Sequence, residues 1–210
     1  MQKPGCKKAF RFNPAFHRQN RSFVHEMIEH GGNAAMDFKR GLLNPHQKAR
    51  GIYDAVEIPR GVVDWHSHPA RCGPKICTVG LPSPADLKNV LAGALKGTQH
   101  HLVYSGEGTY IVRPSDALLR RIQLDPTMLA RLRVKIDKDF AALHDQFKDT
   151  KPLNYERYKR RWRAHAKRVG FHVILHKKRE GPVLHIKYPC DKTKKRPTTR
   201  KKKRRPTQRA

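Results

Sequence analysis

Apolar positions fall into short runs near the front of the chain and into longer stripes of helical period towards the back. In "RSFVHEMIEH" (21–30), Phe23, Met27 and His30 share one helical stripe, and the glycine pair that follows marks its end. Three runs of strand character come next: "DFKRGLL" (37–43), "GIYDAVEI" (51–58) and "GVVDWHSH" (61–68). Set apart by "NPHQKAR" and "PR", they predict an antiparallel meander.

Leu87, Val90, Leu91, Ala94 and Leu95 recur at the spacing of one helix face, which predicts an amphipathic helix from Pro84 to Lys96. "HLVYS" and "GTYIVRP" on either side of "GEG" then read as two paired strands. Beyond residue 116 the period is helical: Leu129, Leu132, Ile136, Phe140, Leu143 and Phe147 form a stripe that Lys151-Pro152 breaks. A further helix, "YERYKRRWRAHAKRV", carries Tyr155, Tyr158, Trp162 and Val169 on one side and basic residues on the other. "FHVILH" and "GPVLHIKY", joined by "KKREG", read as a closing hairpin.

This order predicts a mixed α/β fold, a mainly antiparallel sheet with flanking helices, followed by a helical extension and a terminal hairpin. It divides the chain into a basic irregular start (1–18), a catalytic-type domain (19–125), the extension with its hairpin (126–190) and a disordered basic tail (191–210).

Charge changes the picture. Lys and Arg number 46 against 17 Asp and Glu, a formal net charge of +29, of which the last twenty residues carry +10 through eleven basic side chains and one Asp. So strong an imbalance implies a polyanionic partner. The tail "KKKRRP", with Lys201, Lys202, Lys203, Arg204 and Arg205, together with Arg160, Arg161 and Arg163, predicts phosphate contact without base readout, and the tail also reads as a nuclear import signal. No apolar stretch reaches membrane-spanning length and no signal-peptide core opens the chain, so the expectation is an intracellular protein, nuclear or bound to a nucleoprotein particle. The four cysteines are too few and too scattered for a disulfide scaffold and read as mostly reduced thiols. Cys72 and Cys77 alone are close enough to suggest a second metal or a redox pair.

The candidate chemistry lies in "HSHPARCGPKICTVGLPSPAD" (66–86). His66 and His68, two apart on a strand, place both imidazoles on one face about 6.5–7 Å apart along the backbone. Zinc in a catalytic site takes three protein ligands, and a carboxylate is an acceptable third; Asp86 is the natural one. Read by itself, Ser83-Pro84-Ala85-Asp86 is an ordinary helix start, with Ser83 as N-cap, Pro84 at N1 and Asp86 at N3.

Taken together, His66-Ser67-His68-Pro69 followed by Ser83-Pro84-Ala85-Asp86 resembles the signature of the JAMM, or MPN-type, zinc-dependent isopeptidases, His-x-His-Pro then Ser-x-x-Asp. The resemblance spans roughly residues 20 to 122. It implies a JAB/MPN, cytidine-deaminase-like fold, zinc on His66, His68 and Asp86, and Ser83 helping to hold the attacking water or stabilise the oxyanion. It also implies ubiquitin or ubiquitin-like conjugates as substrates, the activity of a deubiquitinase. Fourteen residues separate His68 from Ser83, an enlarged loop by the family's pattern. The family's upstream base is a glutamate opening the strand after the first helix; the matching stretch "EHGGNAAMDFKRGLL" offers Asp37, with Glu57 and then Glu29 as alternatives.

The leading expectation is therefore a zinc metallopeptidase. The alternative is a catalytically impaired protein of the same fold that binds nucleic acid as a structural or packaging component. A metal-dependent nuclease is a weaker third reading.

Overall fold

The computed structural model describes residues 6–26, 28–52, 56–69, 80–146, 155–177 and 180–189. Among these, eight strands form one mixed sheet in the order β7-β6-β5-β4-β2-β3-β1-β8. The strands are β1 (Cys6–Phe12), β2 (His30–Asp37), β3 (Leu42–Arg50), β4 (Val63–Ser67), β5 (His100–Ser105), β6 (Gly108–Pro114), β7 (Phe171–His176) and β8 (Val183–Tyr188). The helices are α1 (Pro14–Ser22), α2 (Pro84–Leu95), α3 (Asp116–Leu124), α4 (Thr127–Asp145) and α5 (Tyr155–Val169).

Parallel neighbours need a crossover, and α2 supplies the one between β4 and β5. That unit fixes where chemistry can sit. The C-terminal end of β4 and the N-terminus of α2 meet at the carboxyl end of the parallel pair, where ligands bind in open α/β sheets.

Each face of the sheet has its own core. On one face, Leu87, Val90 and Leu91 of α2 join Leu118, Ile136, Phe140, Trp162 and Ala166 over Val103, Tyr110 and Val112. On the other, Phe10, Phe12, Phe16, Val63, Trp65, Leu102, Tyr104, Leu184 and Ile186 pack together as the sheet curls. The curl brings the start of β5 to the far edge: His100 Nε2 lies 3.1 Å from the carbonyl of His185, and the Gln99 side chain exchanges two hydrogen bonds with the Lys187 backbone. Gln99 thus answers donors and acceptors that an edge strand would leave unpaired.

Several sequence expectations hold. The helix at α2, the strand pair β5 and β6 and the helices α3 to α5 lie where the patterns place them. Others are corrected. The opening helix runs over Pro14–Ser22, because Asn13 caps it by accepting from Ala15 N–H and Pro14 sits in its first turn; the expected helix at 21–30 gives way to a single 3₁₀ turn at Phe23–His25. The supposedly irregular start is strand β1.

β2 begins at His30 and runs through both glycines, where the sequence pattern predicts a helix end, since Gly32 has no room for a side chain: a Cβ there would stand 2.2 Å from the Gln47 carbonyl oxygen. β3 takes in Pro45 where the ladder with β2 shifts register. β2 lies between β3 and β4, so the three strands are no simple meander, and the described part of "GIYDAVEI" forms no strand. β7 and β8 form no hairpin; they are the opposite edges of the sheet. Cys6 is disulfide-bonded, against the expectation of reduced thiols, because the scattered spacing carries no signal for a pair made by folding.

Candidate metal centre

β4 is buried along its whole length, and its alternation sends Val63, Trp65 and Ser67 to the curled face and Asp64 and His66 to the helix face. His68 follows immediately, its backbone N–H donating to the carbonyl of Tyr104 at 2.7 Å. From the other side comes α2. Ser83 accepts from Asp86 N–H at 3.1 Å, and the Ser83 N–H donates to Asp86 Oδ2 at 2.5 Å, a complete capping box with Pro84 in the first turn. The cap turns the Asp86 carboxylate inward. Gly80 lies against Ser105, where a Cβ would meet the serine side chain at 2.4 Å, so only glycine lets the chain enter α2 so close to β5.

Both readings of this stretch hold at once. His66 Nε2 lies 3.1 Å from Asp86 Oδ1, His68 Nε2 lies 3.1 Å from Asp86 Oδ2, and the two Nε2 atoms are 2.9 Å apart. Among the described residues these three form the one group of His, Cys, Asp or Glu whose ligand atoms converge, all within 4.8 Å. Zinc bonds of about 2.0–2.1 Å at tetrahedral angles separate neighbouring donor atoms by roughly 3.3 Å, so a shift of a few tenths of an ångström opens the triad to an ion. His66, His68 and Asp86 can hold a metal.

Burial pushes His66 down to about 4, against the pull of the Asp86 charge, so its imidazole is neutral at pH 7. Burial opposes the charge on Asp86 too, but the neighbouring His66 and His68 hold its carboxyl well below the usual range. For His68, burial acts downward, yet Asp86, Glu29 and a hydrogen bond to the Leu81 backbone together raise it. A carboxylate and two imidazole nitrogens facing one point are a donor set that suits a cation.

The upstream carboxylates sort by position. Asp37 closes β2 opposite Leu42; its side chain accepts from Arg40 N–H at 3.0 Å in the turn to β3. It is Gly31, at the start of β2, that pairs with His66, so Asp37 lies six positions, roughly 20 Å, further along the strand. Asp37 as the base is thereby corrected: the motif spacing was counted on a strand that begins seven residues earlier than expected. Glu57 is exposed, next to Val56 and Ile58, whose side chains cover Gly31. Glu29 directly precedes β2. Its backbone bonds Gly51 and Ile52, and the next N–H, that of His30, donates to Ser67 Oγ at 2.9 Å. Ser67, the middle residue of His-Ser-His, therefore ties Glu29 to the strand of the ligands, and the Glu29 charge reaches His68.

Two residues that sequence reasoning passed over complete the centre. His101 of β5 pairs with Asp64, and its Nε2 stands 3.0 Å from His66 Nδ1 while its Nδ1 stands 2.5 Å from Asp64 Oδ1. Asp64-x-His66-x-His68 repeats the two-residue period that identified the histidines, and that was the available signal.

On α5, Arg160 and Arg161 are exposed, whereas Arg163 is half-buried with its charge near the Tyr110 hydroxyl. Trp162 is core, and Tyr155 donates to Glu107. The helix thus packs its aromatics inward and keeps a basic outer face. Cys72, Cys77, Lys201, Lys202, Lys203, Arg204 and Arg205 lie outside the described residues. No described helix is long and apolar enough to cross a membrane. No protein-family model matches the chain, and no curated protein matches it.

Proposed function

We propose that the chain is a zinc-dependent hydrolase of the isopeptidase class, acting on ubiquitin-like conjugates. The observation that carries the reading is the convergence of His66, His68 and Asp86 at the carboxyl end of the β4–β5 pair, with Glu29 alongside. Bound there, zinc supplies Lewis-acid polarisation of a carbonyl and acidification of a water. Glu29 accepts the proton of the attacking water and returns it to the leaving amine, the work of a general base and then acid. Ser83 Oγ is an acceptor for Asp86 N–H, and among the described residues nothing takes its own O–H, which is available to the developing oxyanion.

The basic outer face of α5 and the tail hold a polyanion through phosphate charge, tethering the hydrolase to nucleic acid. The non-catalytic alternative rests on the same basic surface and the net charge of +29.

The test assays purified protein, with and without chelator, on di-ubiquitin and on plain DNA. Chelator-sensitive isopeptide cleavage that Glu29→Gln removes and Asp37→Ala leaves intact is the expected outcome. Intact di-ubiquitin beside tight, salt-sensitive DNA binding would select the non-catalytic reading, and chelator-sensitive DNA cleavage would select a nuclease.

A further inference from the structure

We infer that Asp64 and His101 are positioning residues for the metal centre: they lock His66 in the tautomer that presents Nε2 to a cation. The inference rests on the metal reading above and extends it to two residues that do not themselves reach the site.

The donors and acceptors can be assigned along the chain of contacts. Asp64 is fully buried, and its Oδ2 has Arg60 Nη1 at 3.5 Å and accepts from the Thr98 hydroxyl at 3.3 Å. With a cation and a hydroxyl on that oxygen, Asp64 is a carboxylate, and Oδ1 is left to accept from His101 Nδ1–H at 2.5 Å. A neutral imidazole protonated on Nδ1 has its lone pair on Nε2, so His101 Nε2 accepts from His66 Nδ1–H at 3.0 Å. His66 then has its lone pair on Nε2, the atom that faces Asp86 and His68. Every member is buried, with His66 and His101 both 1 % exposed, so water cannot substitute for a missing partner.

The register makes the arrangement rigid. Asp64 and His66 are two apart on β4, His101 is the parallel neighbour of Asp64 on β5, and the two rings and the carboxylate share the helix face. The His66 and His101 rings lie 4.9 Å apart between centroids. A carboxylate behind a ligating histidine fixes its orientation and raises its basicity, and loss of such a partner typically costs about 10–100-fold in metal affinity. Here an extra imidazole lengthens the relay by one link. His68 is held differently, by the Leu81 backbone, so the two ligands have separate supports.

The experiment has two readouts on the full chain. The first is the ¹⁵N spectrum of the histidine side chains in the wild-type, chelator-treated protein. It is expected to show both His66 and His101 protonated on Nδ1 and bare on Nε2; a His101 protonated on both nitrogens, or a His66 protonated on Nε2, overturns the inference. The second is zinc affinity by competition with a chromophoric chelator. His101→Leu and Asp64→Asn are each expected to lose about 10–100-fold while unfolding cooperatively without metal, and affinity within twofold of wild type in both overturns it. If the variants fail to fold, the wild-type spectrum decides alone. If wild type binds no zinc, the proposed function fails, and the tautomers still decide the relay.

Discussion

Val63 and Trp65 on one side of β4, and Asp64 and His66 on the other, are buried to the same degree, at most 1 % exposed, yet opposite physics holds them there. The curled side gains from leaving water. Trp65 is ringed by Phe16, Phe23 and Tyr104, each with centroids 6.0 Å away. The helix side pays for leaving water, and each polar atom there needs a partner. Stability is thus concentrated on one face of the strand and specific chemistry on the other. The largest effect expected from this contrast is Trp65→Ala, which should cost about 3–5 kcal/mol. Urea unfolding of chelator-treated protein measures it, and a loss under about 1 kcal/mol would mean the curled face is not the load-carrying core.

Substitution on the helix side should move binding instead. His68→Ala removes a ligand and should lower zinc affinity by at least about 100-fold, more than an outer partner does. Without metal, the same variant should lose about 1–3 kcal/mol, less than Trp65→Ala, because Asp86 keeps the Ser83 N–H and His66 as neighbours. A metal-free loss as large as that of Trp65→Ala would erase the distinction between the faces.

The same contrast explains what could be read from the chain. His66, His68, Ser83 and Asp86 were legible because each sits in local structure with a strict period: two on a strand, three in a capping box. α2 and α5 were legible because their apolar stripes are long. Local pattern failed where tertiary contact overrides it. Gly31 and Gly32 look like a stop signal, yet β2 uses them because Val56, Gln47 and Trp65 leave no room for side chains. That one misplacement moved the strand start and with it the expected base to Asp37, which lies roughly 20 Å along β2 from the residue paired with His66. His101 was illegible for another reason: its partners Asp64 and His66 lie 37 and 35 residues away, and only the parallel register brings them together. β7 and β8 read as a hairpin because short spacing favours one, whereas the sheet uses them as its two edges.

Ser83 sits where the two kinds of contribution meet, since it caps α2 and its side chain holds the N–H of the candidate ligand Asp86. Ser83→Ala should cost about 0.5–2 kcal/mol as a lost N-cap, read by thermal or urea unfolding. Under the proposed function it should also lower turnover in the di-ubiquitin assay while leaving KM nearly unchanged, as expected for a group that acts only in the transition state. A stability loss with unaltered turnover would assign Ser83 to the fold alone.

The smallest effect expected is a slope, and it comes from a polar ring stranded on the apolar side. His17 is 1 % exposed, in contact with the Phe12 and Tyr104 rings; its Nδ1 lies 3.4 Å from the Tyr104 hydroxyl, and its Nε2 has no hydrogen-bond partner among the described residues. Burial, helped by the charges of Arg21 and His176, pushes it from 6.5 down to about 4. In that window the unfolded chain binds a proton that the folded chain refuses, so the contribution is fully present above pH 6.5 and drains away as pH falls towards 4. His66, depressed by burial to the same value, adds a parallel slope when metal is absent. Unfolding midpoints of chelator-treated protein should therefore fall between pH 6.5 and 4, and His17→Leu should flatten that fall without abolishing it. Adding zinc should leave the His66 share in place and extend it to lower pH, because the bound ion keeps that ring unprotonated in the folded state while the unfolded chain still takes the proton. An unchanged slope in His17→Leu would mean that the apolar side of the sheet tolerates a charge, and the contrast between the two faces would lose its sharpest edge.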